Sequence, residues 1–273
     1  MEPLPLRHSV MDIQQVWETN LNPVLVVGDD LRPYVAKHSR GLVPCSVLCN
    51  ELLAHHYARL WNLPVLEGAL MRVDPKHIGI HTSTNCQPRF FKTTCFATRF
   101  RKDSVEFNRF LGSTNAYERQ RYANRSDLLR IALFDCWLAN DDRTANNPNL
   151  LVTTDASGFT IRVMDHEMLL GGNNPDKPLP DRTFGDSLLA HPAVPALLGN
   201  GFARDTALVS APVQDAYLCI RSCEQHTDEI LQRLPADWGV DIAAFRLQLQ
   251  ERLFDPDRLN AVVQNYHNLL AQC

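Results

Sequence analysis

The chain has 273 residues, of which 45% are hydrophobic and 21% charged, and its formal net charge is −4. This composition is close to the globular average and excludes a wholly disordered chain, a collagen and a coiled coil, while the length suits two domains or one two-lobed domain, at about 150 residues per part. The acidic balance also argues against nucleic acid as the main direct ligand, because proteins that bind phosphate backbones are usually basic.

The first part of the chain is predicted to be rich in β-structure, with one main helix. Residues 24–27 and 34–38 form a predicted hairpin, because two short apolar runs flank turn-forming residues. A helix is predicted over residues 46–61, and strands over residues 68–73 and 91–100.

The second part is predicted to be mostly helical. Residues 126–139 carry apolar side chains nearly all round a helix, which is typical of a buried helix. Strands are predicted over residues 149–152 and 159–164, with residues 153–158 as the hairpin loop between them. Residues 171–180 are predicted to form a loop, because they are rich in Gly, Asn and Pro, and helices with short turns are predicted from there to the C-terminus.

The change from strand patterns to helix patterns defines two lobes. It falls near residues 101–107, and the sequence contains no internal repeat or low-complexity stretch. We therefore predict an α+β, two-lobed fold, with an N-terminal lobe over residues 1–104 and a helical C-terminal lobe over residues 105–273.

The cysteines and the N-terminal residues predict a cytoplasmic protein with reduced thiols. There are eight cysteines, an even number that would suit disulfides in a secreted chain. Residues 1–7 have no apolar stretch of the kind that a signal peptide needs, and no apolar run approaches the length of about 18 residues expected of a membrane span. We therefore expect free thiols and no membrane contact.

The polar segment over residues 140–147 is the sharpest chemical signal, with two carboxylates and three carboxamides. Asp142 and Asn147 are five residues apart, as are the catalytic Asp and the metal-binding Asn of protein kinases, and the predicted hairpin leads to a further acid, Asp165. Phosphoryl transfer needs a carboxylate to take the proton of the attacking hydroxyl and oxygen ligands to hold Mg²⁺. Because Asp and Asn are also common in ordinary turns, this pattern alone leaves a purely structural role open.

Lys37 and Glu51 are single charges in apolar surroundings. Lys37 lies inside a predicted strand, and Glu51 shares a helical face with Val47 and Ala54. An acid on such a face needs a partner, because burying a charge unpaired is costly. A strand Lys paired with a helix Glu is the arrangement with which kinases grip nucleotide phosphates. Both residues also precede the segment 140–147, which is the order found in kinases.

Four motifs together are similar to those of one kinase family. They are Tyr34-Val35-Ala36-Lys37, Asn50-Glu51-Leu52-Leu53-Ala54, Asn140-Asp141-Asp142-Arg143 with Asn147, and Met164-Asp165-His166. With these motifs the chain resembles the HipA-like kinases and, more distantly, the phosphatidylinositol kinases, over about residues 10–172. The resemblance implies a two-lobed kinase-like α+β fold that uses ATP and Mg²⁺ and transfers phosphate to a Ser or Thr of a protein substrate.

The resemblance also implies a role for each of five residues. On the family's pattern, Lys37 holds the nucleotide phosphates and Glu51 orients Lys37. Asp142 is the catalytic base, and Asn147 and Asp165 are the Mg²⁺ ligands.

The loop over residues 18–23 departs from the family's pattern. This loop is expected to cover the phosphates, yet it has no glycine, the residue that allows backbone N–H groups to approach phosphates closely. Thr19, Asn20 and Asn22 are predicted to bind the phosphates instead, since Asn tolerates positive φ better than most residues.

Two other functions stay open from the sequence. A catalytically silent pseudokinase that binds nucleotide or a partner protein would explain the glycine-free loop, although the retention of Asp142, Asn147 and Asp165 argues against it. A metal-dependent hydrolase could use the same acids, but it would leave Lys37 and Glu51 without a role. Two pairs of cysteines lie four residues apart on or beside predicted helices, Cys45 with Cys49 and Cys219 with Cys223. Zinc sites at these pairs are less favoured, because tight zinc sites more often use cysteine knuckles in loops.

Overall fold

The computed structural model describes residues 2–19, 21–83, 85–109, 116–156, 158–173 and 179–273 of a chain that divides into two units. The first unit comprises residues 1–55, 66–102 and 228–242, and the second comprises residues 56–65, 103–227 and 243–273. The chain thus enters the first unit three times, so a short segment near the C-terminus belongs to the unit that is formed mainly by the N-terminal part.

The first unit contains a six-stranded sheet. Its strands are β1 (Leu6–His8), β2 (Gln15–Val16), β3 (Val24–Val27), β4 (Pro33–Lys37), β5 (Gly68–Arg72) and β6 (Cys95–Arg99). Their order across the sheet is β1-β5-β6-β4-β3-β2, and β1 with β5 is the parallel pair while the other neighbours are antiparallel. Two 3-10 helices, Pro75–His81 and Pro88–Phe91, lie between β5 and β6.

One face of this sheet forms the core of the first unit. In β3 and β4, buried residues alternate with half-buried ones, which is typical of strands with one well-covered face. Val24, Tyr34 and Ala36 belong to the buried set and pack in one cluster with Phe90. Because side chains alternate along a strand, Lys37 lies on the opposite face from Ala36.

Helix α1 (Ser46–Leu60) begins in the first unit, and its first turns pack on the Lys37 face of the sheet. The ring of His55 meets the ring of Phe96 edge-on, with centroids 5.7 Å apart, and Phe96 is the register partner of Lys37. A Cβ atom on Gly68 would lie 2.7 Å from His55 Nε2. Glycine at this position therefore allows the helix to approach the sheet closely.

The segment 228–242 completes the first unit. Trp238 is fully buried, its Nε1 donates to the carbonyl of Thr94 at 2.7 Å, and its own carbonyl accepts from the N–H of Cys45 at 2.9 Å. The Asp237 carboxylate accepts from both the N–H and the hydroxyl of Thr94, each at 2.9 Å. These bonds tie the segment to the start of β6 and to the approach to α1.

The second unit is mainly helical and carries a small antiparallel sheet. The strands are β7 (Val105–Glu106), β8 (Leu150–Asp155) and β9 (Gly158–Val163), in the order β7-β8-β9. The helices that follow α1 along the chain are α2 (Ala116–Gln120), α3 (Asp127–Leu138), α4 (Leu170–Asn173), α5 (Ala193–Leu198), α6 (Thr206–Leu231), α7 (Ile242–Leu253) and α8 (Pro256–Leu270).

Aromatic side chains around α3 form much of the core of the second unit. Trp137 stacks on Trp61 with centroids 5.5 Å apart, and Phe134 meets Trp61 edge-on at 5.2 Å. The indole N–H of Trp137 donates to the carbonyl of Leu253 at 3.0 Å, which satisfies its polar atom within this apolar core. Ten of the 12 residues of α3 are buried, as its apolar pattern predicts.

The predicted α+β class is confirmed, with a β-rich N-terminal sheet and a helical C-terminal part. The hairpin of β3 and β4, helix α1, strand β5 and helix α3 all have bounds within one residue of the prediction. Such agreement is expected for elements with strong periodicity and clear turn residues.

The sequence prediction was wrong in three places. The loop expected over residues 171–180 overlaps helix α4 (Leu170–Asn173) at its start, and residues 174–178 lie outside the described residues. The strand expected over residues 91–100 begins only at Cys95, because a 3-10 helix occupies Pro88–Phe91. The loop expected over residues 153–158 is largely strand, since Thr153 pairs with Thr160 and the pairing continues to Asp155 opposite Gly158. The β-branched threonines suit a strand and outweigh the polarity that indicated a loop. Strands β1 and β7 were not predicted.

The cysteines and the helices can be compared with the expectations of free thiols and of no membrane contact. All eight cysteines are free, seven of them buried and Cys273 exposed. Burial raises the pKa of the Cys49 thiol to about 12, so this group stays protonated at neutral pH. Among the described residues, no helix combines the length and the apolar character that crossing a membrane requires.

His38 is a buried titratable group directly after β4. Its ring packs against Phe90 and Phe91, with centroids 5.2 and 4.9 Å away, and its Nδ1 accepts from the N–H of Arg40 at 3.1 Å. Burial, helped by the charge of Arg40, lowers the pKa of His38 to about 4. The ring is therefore neutral at physiological pH.

We expect His38 to make the protein less stable in mild acid. Because its pKa in the folded protein is below its ordinary value of about 6.5, the unfolded chain takes up the proton first as pH falls, and about 3 kcal/mol of stability is lost between pH ~6.5 and ~4. Urea unfolding across this range measures the loss. In His38→Asn, which keeps an acceptor for the Arg40 N–H, the pH dependence should become shallower, whereas substitution of the exposed His267 by Asn should leave it unchanged. An equally steep dependence in His38→Asn would contradict the assignment.

Candidate active site

The ion pair that the sequence indicates between Lys37 and Glu51 is present in the first unit. Lys37 ends β4, and Glu51 faces it from the second turn of α1. The Glu51 side chain is 3% exposed and that of Lys37 is 15% exposed, with Lys37 Nζ donating to Glu51 Oε1. Each charge therefore has an opposite charge beside it, which offsets part of the cost of burying it. The pair also fixes where the Lys37 ammonium points.

The glycine-free loop between β2 and β3 is held by its own polar groups. Asn22 is buried and has φ of 47°, in the left-handed region that Asn tolerates. With its amide turned to satisfy both ends, Nδ2 donates to the Thr19 carbonyl at 3.0 Å and Oδ1 accepts from Arg40 Nη2 at 2.6 Å. Thr19 is exposed, and Asn20 lies outside the described residues. Asn22 thus shapes the loop, and phosphate binding by Thr19, Asn20 and Asn22 stays a prediction.

The polar segment 140–147 begins where α3 ends. Ala139 has φ of 47° and its N–H returns to the carbonyl of Asp135, a left-handed helix cap. The N–H of Asn140 also bonds the Asp135 carbonyl, at 3.1 Å, and its side-chain amide donates to Asp135 Oδ1 at 3.0 Å. The chain therefore leaves the helix in a defined direction, and the following acids lie on a fixed turn.

The carboxylate of Asp142 is held by two amides. Asn147 Nδ2 donates to Asp142 Oδ1 at 3.1 Å, and Asn149 Nδ2 donates to Asp142 Oδ2 at 2.6 Å. The structure thus brings the predicted pair Asp142 and Asn147 together. The sequence analysis did not single out Asn149, although a further amide two residues after Asn147 was a usable signal.

The orientation of the Asn147 amide bears on metal binding. Its Nδ2 is directed at Asp142, where it also reaches the main-chain carbonyl at 3.2 Å. The opposite atom, Oδ1, takes no part in these two bonds. An amide oxygen and a carboxylate are both hard oxygen donors of the kind that Mg²⁺ prefers, so the chemistry of Asn147 and Asp165 suits the metal that the sequence predicts, and their joint binding of Mg²⁺ stays a prediction.

Arg143 links the polar segment to the end of β9. It is fully buried, and its guanidinium donates to Asp135 Oδ1 at 2.5 Å, to the Pro148 carbonyl at 3.1 Å and to the Met164 carbonyl at 2.8 Å. It also lies 3.1 Å from the Nε2 atom of His166. Burial raises the pKa of Asp135, and the charge of Arg143 opposes that rise.

Asp165 is placed by this network. Its neighbour Met164 is bonded on both sides, through its carbonyl to Arg143 and through its N–H to the carbonyl of Asn149 at 3.2 Å. Asp165 itself has φ of 57°, an uncommon conformation for a residue with a Cβ, and is half-buried. Strained backbone of this kind persists only where the surroundings over-determine it, and it is frequent at functional sites.

The fold is similar to that of one solved kinase structure, and two further kinase structures give lower scores. A Helicobacter pylori proinflammatory kinase, CtkA, is similar with a TM-score of 0.54 and 13% identity over 98% of this chain and 99% of that chain. A Golgi casein kinase gives a TM-score of 0.47 at 12% identity, covering 96% of this chain and 74% of its own. HipA of Shewanella oneidensis, solved with HipB and operator DNA, gives 0.46 at 14% identity, covering 99% of this chain and 68% of its own.

Comparison of the sequence with protein families identifies the family of this chain. Residues 10–175 match the HipA-like kinase family, and the chain belongs to it. No curated protein matches the chain in sequence. The predicted resemblance is confirmed, and family and fold together support a kinase-like phosphotransferase.

Proposed function

We propose that the protein transfers the γ-phosphate of ATP to a Ser or Thr hydroxyl of a protein, with Mg²⁺ as the metal. The observation that carries the proposal is the Asp142 carboxylate, which the amides of Asn147 and Asn149 hold at both of its oxygens. Such bonds also occur in ordinary turns, and here they give a fixed direction to the acid that the kinase spacing selects as the base. Membership of the HipA-like kinase family supports the same chemistry.

In this proposal each residue has one task. Lys37, oriented by Glu51, binds phosphate oxygens of the nucleotide. Asp142 accepts the proton of the attacking hydroxyl. Asn147 and Asp165 hold Mg²⁺, which when bound neutralises charge on the phosphates.

The wider assignments are part of the proposal as well. We assign nucleotide anchoring to the first unit and the base and metal ligands to the second unit. The sequence prediction divided the same tasks between lobes of residues 1–104 and 105–273, whereas residues 56–65 belong to the second unit and residues 228–242 to the first. A protein substrate, a cytoplasmic location and the lack of direct nucleic-acid binding are taken into the proposal from the sequence predictions alone.

One observation favours a second candidate, a nucleotide-binding pseudokinase. The Asn22 amide is already engaged with Thr19 and Arg40, so the glycine-free loop offers fewer donors to phosphates than a glycine-rich loop does. Weak grip on the phosphates would lower the rate of transfer even with the base intact. Activity measurements separate the two candidates.

Incubation with γ-labelled ATP tests the proposal directly. We expect label in dephosphorylated casein or in the protein itself when Mg²⁺ is present, and none when EDTA removes the metal, because the phosphates then lack their neutralising charge. Acid hydrolysis of the labelled product should release phosphoserine or phosphothreonine. ATP binding without any transfer, to casein or to water, would favour the pseudokinase.

Substitution of the two adjacent acids tests the assigned base. Asp142→Asn should bind ATP but lose about 10²–10⁴-fold in the rate of transfer, the usual scale for removing a general base. This loss corresponds to about 3–5 kcal/mol of barrier. Asp141→Asn should lose much less. If Asp141→Asn were the inactive variant and Asp142→Asn remained active, the assignment of the loop would be wrong by one residue.

Calorimetry tests the metal ligands. ATP should bind more tightly with Mg²⁺ than without it, and Asp165→Ala should abolish most of that difference, because Mg²⁺ relies on few protein oxygens besides the phosphates. Asn147→Ala should act in the same direction. Asp12→Ala, at an exposed acid of the first unit, serves as the control and should retain the Mg²⁺ effect. Equal affinity with and without Mg²⁺ in the native protein would contradict the metal assignment.

A further inference from the structure

Arg182 is a buried charge 40 positions along the chain from Asp142, yet within the same unit. It is 7% exposed and lies outside any helix or strand. Asn265 of α8 holds its main chain with two bonds. The Asn265 Oδ1 accepts from the Arg182 N–H at 3.0 Å, and Nδ2 donates to the Arg182 carbonyl at 2.9 Å. The side chain of Arg182 therefore starts from a fixed backbone.

The guanidinium of Arg182 reaches the residues on both sides of Asp142. Its Nη2 donates to the carbonyl of Arg143 at 2.8 Å, and its Nη1 lies 3.4 Å from Asp141 Oδ1. A further bond runs from Nη2 to the carbonyl of Asp186, which belongs to the same loop as Arg182. One planar guanidinium thus contacts the residue before Asp142 and the residue after it.

Stability alone gives a poor reason for this arrangement. Replacing a buried ion pair by apolar side chains of similar volume is often neutral or stabilising, so a buried Arg is weak evidence for a stabilising role. Asp141, the carboxylate partner of Arg182, is 39% exposed at its side chain, which weakens the attraction further. What a guanidinium does supply is geometry, because its donors form a planar fork with fixed directions.

We infer that Arg182 is a positioning residue for Asp142. Its fork holds the main-chain carbonyl of Arg143 and the side chain of Asp141, the two neighbours of Asp142, and so sets the direction of the Asp142 carboxylate, while Asn265 fixes Arg182. The inference rests on the proposed function, since the direction of Asp142 matters to a rate only if Asp142 is the base. It assigns a task in phosphate transfer to the loop around Arg182 and to α8, where the sequence offered no chemical signal.

The test compares Arg182→Gln and Arg182→Lys with the native protein. Arg182→Gln should lower kcat for phosphate transfer from ATP to casein by about ten- to a hundredfold, the scale of a small misplacement of a catalytic group. The Kd for ATP with Mg²⁺ should stay within about twofold. Arg182→Lys should be intermediate, because an ammonium keeps the charge but not the fork. Arg233→Gln, which removes a half-buried ion pair with Glu229 in the first unit, is the control and should keep native kcat.

A second variant and a second measurement guard against a general loss of structure. Asn265→Ala should reproduce part of the kcat loss, and the double variant with Arg182→Gln should lose little more, since the two residues act through one contact. Hydrogen exchange should speed up at the amides of residues 140–147 and stay unchanged in α3.

Each outcome decides between the claims. An active native protein whose kcat is unaffected by Arg182→Gln overturns the inference alone. If Arg182→Gln lowers kcat and also weakens ATP binding and speeds up hydrogen exchange in α3, the role of Arg182 is merely structural. That result also overturns the inference. A native protein that transfers no phosphate overturns the proposed function, and the inference with it.

Discussion

The buried guanidinium of Arg143 is the interaction on which the polar site of the second unit depends. It bonds Asp135 on α3, the carbonyl of Pro148 just before β8 and the carbonyl of Met164 just after β9. A buried charge that lost one of these partners would cost several kcal/mol, so the helix and both strands are held to one arrangement. The acids of the site are sequence neighbours of this network, so their positions follow from it.

The parts of the site that the sequence predicted are those where a charge interrupts a local pattern. Lys37 stands out in an apolar strand and Glu51 on an apolar helix face, and burial leaves each with few ways to be neutralised except by the other. Asp142 and Asn147 stand out by their spacing within one short turn. Such signals are contained in a few consecutive residues, as are the hairpin of β3 and β4 and the apolar circumference of α3.

What the sequence did not predict depends on contacts between distant residues. Arg182 bonds the carbonyl of Arg143, 39 positions earlier, and is held by Asn265, 83 positions later. Nothing in its own surroundings marks it, because the loop that carries it has no periodicity. Strand β1 is similar, since it forms a parallel pair with β5, in which Leu6 lies beside Leu70, 64 positions onward. Only the folded sheet explains why so short a segment is a strand. Asn149 is the intermediate case, since it is near in sequence but adjacent to Asp142 only once the turn has formed.

The bonds between Thr94 and the pair Asp237 and Trp238 have a consequence for how the chain is made. They span 143 and 144 positions, so the first unit cannot be completed until residue 238 has left the ribosome. At a synthesis rate of about 5–20 residues per second, Trp238 is made on the order of ten seconds after the strands of the sheet. During that interval the pocket for the indole and the polar groups of Thr94 face solvent or a chaperone. A chain that ended at residue 104 would lack Asp237 and Trp238, so the polar groups of Thr94 would stay without these partners.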